Sequence, residues 1–434
     1  MFPMLLRIAA LLSGIALLLL GVGLLNTLLA LRGALEGFSD SQLGMLGSSY
    51  FVGFLIGTFL CPRLIQRMGH IRAFAFFTAV ATACVLSHVL LITPMTWLVL
   101  RALTGVALVG IYIVVESWLN SHAASAQRGQ VFAAYMVCNL GALALGQQLL
   151  GLDQPAGFVL FVVAALCVCL AALPVTATRL SPPDVPDAPP LALHRYWRAA
   201  PAALAAAVGS GVAMGGFWGM GAVYARRLGV EPGVVADFMT ATILGGVALQ
   251  WPIGHFSDGG DRRRTLIAVA LLAGLAAIAV GLAGAAYWPL LGAAFVFGGA
   301  AFSIYPIAVA HLVDHLPHAD ILGGNTALLL VHGAAAACGP LLAGALMEAA
   351  GPAALPGQWL AAHVALVLFA LWQVRRSVDR VVEAPAHFVP MVRTSAAVLE
   401  MMAADQPWSE HERQSEAADA RRSHSESDEG TQPC

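Results

Sequence analysis

Pro62-Arg63-Leu64-Ile65-Gln66-Arg67-Met68-Gly69-His70-Ile71-Arg72 is answered 192 positions later by Gly254-His255-Phe256-Ser257-Asp258-Gly259-Gly260-Asp261-Arg262-Arg263-Arg264. Each stretch is a short basic break between two long apolar runs. The same offset recurs elsewhere: Gly53 with Gly245 and Gly141 with Gly333 at 192, and Ile111-Tyr112 with Ile304-Tyr305 at 193. Separated regions that agree on one offset mark a chain built from two copies of one unit.

The composition says where that unit lives. Of 434 residues, 59% are hydrophobic and 11% charged, against roughly 25% charged in an average soluble domain. With a mean hydropathy of +0.79, this is a protein of the lipid bilayer. The net charge of −2 and arginines scattered among short loops exclude a nucleic-acid partner, since phosphate binding needs a basic surface. Every basic residue is Arg, a compositional bias rather than a mechanism. Cys61, Cys84, Cys138, Cys167, Cys169 and Cys338 fall in apolar runs, with Cys434 in the tail. None has metal-ligand or secreted-disulfide spacing, and they read as small packing residues.

A helix crossing the hydrocarbon core needs about 20 apolar residues. Twelve segments fit: Leu6 to Leu31, Leu43 to Leu64, Ala73 to Ile92, Met95 to Leu119, Gln130 to Leu150, Pro155 to Thr176, Ala199 to Tyr224, Val234 to Phe256, Thr265 to Ala285, Tyr287 to Leu312, Leu322 to Met347 and Gln358 to Val374. Met1 to Ala30 is therefore expected to be the first span, not a signal peptide, because it is long enough to cross and more spans follow. The predicted fold class is all-α: twelve transmembrane helices in two pseudo-symmetric six-helix bundles, residues 1–178 and 199–375. The Pro-rich stretch 179–190 is too polar for lipid and places an inter-domain linker at 179–198. Beyond Arg375-Arg376 a charged, Ser-rich tail, 376–434, is expected to be largely disordered.

Arginine placement predicts orientation. Arg7, Arg63, Arg67, Arg72, Arg128, Arg179, Arg195, Arg198, Arg262, Arg263 and Arg264 fall on one side, and Arg32, Arg226 and Arg227 on the other. The positive-inside rule then makes both termini cytoplasmic, in a bacterial inner (plasma) membrane.

The two opening stretches resemble the signature Gly-x-x-x-Asp-Arg-x-Gly-x-Arg/Lys-Arg/Lys of the major facilitator superfamily. The first keeps Arg67, Gly69 and Arg72, with Pro62 for the leading Gly and Gln66 for the Asp. The second keeps Gly254, Asp258, Arg263 and Arg264, with Gly259 and Asp261 replacing the basic residue and the second Gly. Arg101-Ala102-Leu103-Thr104-Gly105 is similar to that family's Arg-x-x-x-Gly element. Val115-Glu116-Ser117-Trp118-Leu119-Asn120, Ala134-Tyr135-Met136, Gly146-Gln147 and Gln250-Trp251-Pro252-Ile253-Gly254 resemble its YcaD-like branch. The resemblance covers roughly residues 1 to 375. It implies a carrier fold and leaves the cargo open.

A charge inside the bilayer costs about 2.5–3.5 kcal/mol on insertion scales, so polar residues within spans are the candidates for function. Arg101 has two readings: its stem snorkels outward, or, as the resemblance favours, it faces a cavity, where it binds an anionic or carbonyl-bearing substrate or senses protonation nearby. Tyr112 lies about 20° and Glu116 about 60° around the same helix from Arg101. Glu116 is read first as a gate partner for Arg67 and Arg72, second as a proton site. Asp258 and Arg263 are the matching gate candidates in the second half. Asn26, Tyr50 and Gln147 share the depth of Arg101, whereas Asn139 and His332 fall near the midplane. Asn325 and His332, seven apart, share a face; His332 is either a packed core residue or a group titrating near neutrality. Trp218, Tyr224, Gln250 and Tyr305 could line the same cavity from the second half, although aromatics in spans more often pack or anchor. Gly53, Gly57, Gly105, Gly141, Gly146 and Gly339 are expected to permit close helix approach.

No carboxylate falls near the midplane of any predicted span, so proton coupling would rest on Glu116 or His332. With no Walker sequence, metal cluster or catalytic triad, neither ATP hydrolysis nor enzymatic turnover is expected, and no cofactor or metal. Two parallel halves about a pathway suit a monomeric carrier of a small neutral or weakly anionic organic molecule, with protons as a candidate co-substrate. The alternatives are a broad-specificity drug or metabolite exporter, and a non-transporting membrane sensor signalling through its tail.

Overall fold

The structure, a computed structural model, describes residues 2–122, 128–177, 192–317, 320–376 and Phe388. The Pro-rich stretch 179–190, and the tail beyond Arg376 apart from Phe388, lie outside them. The elements are α1 (Phe2–Leu35), α2 (Asp40–Met68), α3 (His70–Leu90), α4 (Pro94–His122), α5 (Arg128–Gln148), α6 (Val159–Leu170), α7 (Ala172–Thr176), α8 (Leu193–Ala199), α9 (Pro201–Arg227), α10 (Pro232–Asp258), α11 (Arg262–Ala283), α12 (Tyr287–Val313), α13 (Ile321–Ala350) and α14 (Ala354–Arg376). Among the described residues twelve spans are long and apolar enough to cross a membrane, α6 and α7 together forming the sixth. Large apolar side chains such as Phe256, Leu282, Trp288 and Leu368 point outward, as lipid contact requires.

Most helices outrun their apolar cores. α2 begins at Asp40, three residues before the predicted start, because Ser39 and Gln42 cap it reciprocally: Gln42 N–H donates to Ser39 Oγ (3.3 Å) and Ser39 N–H to Gln42 Oε1 (2.9 Å). It stops at Gly69, whose φ of 80° breaks the helix. The sixth span starts later than predicted, at Val159. The carbonyls of Pro155, Ala156 and Gly157 accept from Arg32 Nη1 instead of entering a helix. The expected linker 179–198 ends in a short helix. Leu193–Ala199 is helical, Tyr196 is buried, and Arg195 pairs with Asp320 at the start of α13. Burial and the nearby Asp320 carboxylate push the Tyr196 phenol above its ordinary pKa.

The sequence repeat is realised at helix crossings. A Cβ on Gly53 would run into the Ala102 carbonyl between α2 and α4, and one on Gly245 into the Phe295 carbonyl between α10 and α12. Gly146 lies against the Leu20 carbonyl between α1 and α5, and Gly339 against the Val212 carbonyl between α9 and α13; a Cβ on either would come to 2.5 Å. Each contact in one half reappears 192 or 193 residues on. Gly141 departs from expectation, since nothing lies within 4 Å of a Cβ there. Cys169 and Cys338 are likewise exposed, not packed inside.

The two halves meet chiefly where α2 crosses α13 and α5 crosses α10, with α1 and α2 also touching α9. The two faces of the molecule are conveniently called the Asp40 side and the Arg67 side, after the ends of α2. Toward the Asp40 side the halves interlock on small residues, Gly44 against Pro340 and Gly344, and Gly47 against Gly219 and Pro340.

Candidate functional site

α4 is drawn onto α2 by Gly105, which sits against the Tyr50 carbonyl. That contact sets the rotation of α4 and turns Arg101 inward. The side chain does not snorkel: it is 6% exposed, with Nη2 donating to Asn26 Oδ1 and the guanidinium 4.6 Å above the centre of the Tyr50 ring. Nη1 is buried and has no protein partner. A cation so placed is held by an amide oxygen and a ring face, with no carboxylate paired to it among the described residues.

Arg101, Asn26 and Tyr50 form one wall of a cavity of about 120 Å³ between the halves. By the same measure a single water needs roughly 10–15 Å³, so the cavity is wettable. Tyr112 and Phe54 continue this wall, their ring centres 6.2 Å apart. The second half contributes Trp218 and Phe302, with rings edge to face at 6.0 Å, and Tyr305 and His332, with centres 4.6 Å apart. His332 Nδ1 lies 3.2 Å from the Ala207 carbonyl. The geometry calls for a proton on Nδ1, which leaves Nε2 as the acceptor nitrogen of the neutral ring.

Asn26, Tyr50, Arg101, Tyr112, Trp218, Tyr305 and His332 therefore share one cavity. Other sequence candidates lie elsewhere. Glu116 is fully buried and accepts from the Tyr135 hydroxyl at 2.8 Å. Asn139 Nδ2 donates back to the Tyr135 carbonyl at 3.4 Å. Gln147 joins α5 to α1, donating to the Gly23 carbonyl (3.0 Å) and accepting from Thr27. Gln250 donates to the Phe302 carbonyl at 3.1 Å, joining α10 to α12. Asn325 is buried within α13 away from the cavity lining. Tyr224, also considered from sequence, spends its hydroxyl on the Val280 carbonyl at 3.1 Å. Glu116, Gln147, Gln250 and Tyr224 thus satisfy polar atoms between helices, and Asn139 bonds back along its own helix; spacing along one helix cannot separate such roles from cavity lining.

The gate candidates Arg67 and Arg72 make no ion pair across the halves among the described residues. Arg67 and Arg72 are exposed, and among the described residues neither pairs with Glu116, Asp258 or Arg263. Asp258 pairs with Arg262 at 3.2 Å, and Arg262 also reaches Asp314 at 2.6 Å, all within the second half. Asp258 additionally accepts from the Phe388 backbone N–H at 2.8 Å. Asp261 caps α11 by accepting from the Arg263 N–H at 2.9 Å and pairs with the Arg263 side chain at 3.2 Å. Desolvation would raise its carboxyl, but these bonds and the charges of Arg263 and Arg264 hold it below its ordinary value.

Polar contacts between the halves are found on the Asp40 side, at residues outside the sequence-derived set. Arg227 pairs with Asp40 at 2.9 Å. Glu348 accepts from Ser41 N–H at 2.9 Å and Ser39 Oγ at 3.1 Å. Gln148 donates to Thr240 Oγ1 at 2.8 Å and Asp237 Oδ1 at 3.3 Å. The available signal was charge at span ends: Asp40 and Arg227 stand at the same membrane face in opposite halves, and only folding shows that they meet. Among the described residues no group of three His, Cys, Asp or Glu side chains is placed to hold a metal ion.

Comparison with known proteins agrees with this architecture. The family model for the Major Facilitator Superfamily matches residues 11–258 and 203–410. The chain is 32% identical over 341 residues to the protein named uncharacterized MFS-type transporter YcaD from Escherichia coli O7:K1 (strain IAI39 / ExPEC), covering 78% of this chain and 88% of that one. It has the same identity and coverage to the YcaD of Shigella flexneri serotype 5b (strain 8401). Among solved structures, the nucleoside transporter NupG superposes with a TM-score of 0.66 at 12% identity, covering 86% of this chain and 98% of that one. A bacterial homolog of the human lysosomal transporter Spinster, inward-facing and unoccupied, superposes with a TM-score of 0.65 at 14% identity, covering 93% and 99%.

Proposed function

This chain belongs to the major facilitator superfamily, and from that premise we propose that it is a secondary transporter, active or facilitative, of a small neutral or weakly anionic organic molecule, working by alternating access. The observation that carries this reading is a wettable cavity lined by both halves and closed on the Asp40 side by contacts between them. Alternating access requires the halves to rock about a central site. A closure made of small-residue helix contacts and a few polar links is weak enough to break and re-form.

Residues 1–178 and 199–375 are the moving units, joined through 179–198. The arginine-rich Arg67 side is cytoplasmic by the positive-inside rule, which puts both termini in the cytoplasm of a bacterial cell and the protein in its inner membrane. The closed Asp40 side then faces outward. The pathway lies within a single chain, consistent with a working monomer. Of the two groups suited to proton coupling, His332 lines the cavity and Glu116 does not, which favours His332.

The test places a single cysteine at Met214, which lines the cavity, in a cysteine-free background. Reactivity toward a membrane-impermeant thiol reagent is read from each face. Pinning the Asp40 side by bridging Ser41→Cys to Glu348→Cys with a short bifunctional reagent is expected to confine reactivity to the Arg67 side. Without the bridge, both faces are expected to give labelling. Labelling from one face alone in both states would overturn the proposal.

A further inference from the structure

We propose that the cavity takes a monocarboxylate carrying one aromatic ring, its carboxylate on Arg101 of the first half and its ring against Trp218 and Phe302 of the second. This deepens the transport reading of the same cavity and rests on it. Arg101 is the one residue of fixed charge in the lining, and no Asp or Glu joins it among the described residues. Its Nη2 is taken by Asn26 and one face by Tyr50, which leaves the buried, partnerless Nη1 as the edge presented to a ligand. A buried cation without a counter-charge is costly, and a carboxylate supplies both the charge and the acceptor that Nη1 lacks. A second negative charge would find no second residue of fixed positive charge in the lining to meet it. An ammonium group would find no carboxylate, so amines and amino acids fit less well.

The two halves offer this ligand different surfaces at equivalent positions. Asn26, which holds Arg101, corresponds at the 192-residue offset of its helix to Trp218, and Arg101, at the 193-residue offset of α4 and α12, corresponds to Ala294. The duplication has thus diverged into a polar, cationic wall and an aromatic one. Tyr112 and Tyr305, a matched pair at an offset of 193, both line the space between. Aromatic walls favour a flat ring in edge or stacked contact. A cavity of about 120 Å³ has room for roughly ten water-sized positions, which suits a molecule with one ring and a short acid arm.

Purified full-length protein titrated with phenylacetate, its neutral isostere phenylacetamide, the amine phenethylamine, the dianion phenylmalonate and ringless acetate tests this, with calorimetry as the readout. Phenylacetate is expected to bind at least about tenfold more tightly than each of the others. Arg101→Gln should erase the preference for acid over amide, Arg101→Lys should keep it in part, and Trp218→Leu should weaken phenylacetate without strengthening the amide. Thermal melting of each variant checks folding, and Asn26→Leu serves as a second route to disturbing Arg101. Equal binding of phenylacetate and phenylacetamide by the wild type, no binding of any acid, or a preference that survives Arg101→Gln would overturn the assignment. Counterflow in proteoliposomes separates the two readings: selective binding of phenylacetate without its counterflow upholds the ligand class and sinks the transport reading.

Discussion

Asp40, in the first turn of α2, and Arg227, in the last turn of α9, are 2.9 Å apart and tie one half of the protein to the other. The pair is uneven: the Asp40 side chain is 4% exposed and that of Arg227 54%. An exposed pair is worth about 0.2–1 kcal/mol, but removing only the arginine strands a buried carboxylate, which costs more. Arg227→Ala should therefore open the Asp40 side more than Asp40→Asn does. Distances between spin labels on that face measure it. An identical distribution in wild type and both variants would show that the pair contributes nothing to closure.

Gly53 and Gly245 are expected to be the least replaceable positions in their helices. Each abuts a carbonyl of the neighbouring helix, where an added methyl forces the crossing apart, and such overpacking costs about 1–3 kcal/mol. Gly141→Ala, with open space at the Cβ, should instead gain about 0.5–1 kcal/mol from helix propensity. Thermal melting of the three variants in detergent is the measurement, and a Gly53→Ala protein as stable as wild type would count against the crossing geometry.

The Tyr135 hydroxyl donates to Glu116 inside the first half, where neither group is exposed. Tyr135→Phe withdraws a buried donor and should cost about 1–3 kcal/mol. Glu116→Gln keeps an acceptor in place and should cost less. If Glu116 acts instead as a gate partner in the other conformation, Glu116→Gln will shift accessibility labelling while leaving the melting temperature nearly unchanged, so both readouts are needed together.

Acid should loosen the α10–α11 turn before it touches the membrane core. The Asp261 carboxyl is held below its ordinary value of 3.8, so its contribution is fully present above that value and is lost as pH falls through the lower, folded one. The stability difference between wild type and Asp261→Asn should stay constant from about pH 7 to about pH 5, then shrink below about pH 4. A difference that grows on acidification would contradict the cap and ion-pair geometry.

The twelve spans, the duplicated halves and the polar positions worth testing were legible along the chain. Asn26, Tyr50 and Arg101 were grouped by depth alone and do meet. Gln147 was grouped with them on the same basis and faces α1 instead. Helix spacing puts Glu116 and Tyr112 on one face with Arg101, yet of the two only Tyr112 lines the cavity. The Asp40–Arg227 closure was not anticipated, because its partners are 187 residues apart in sequence.

Sequence by itself determined membrane residence, helix number and the two-copy plan, because hydropathy and repeat spacing are written in local composition and in position along the chain. Tertiary structure alone decided which polar groups face the cavity and which join helices. A helix that meets lipid on one side and apolar neighbours on the other is hydrophobic all round and carries little record of its own rotation. That rotation is set where glycines such as Gly53, Gly105 and Gly245 let one helix rest on the carbonyls of another.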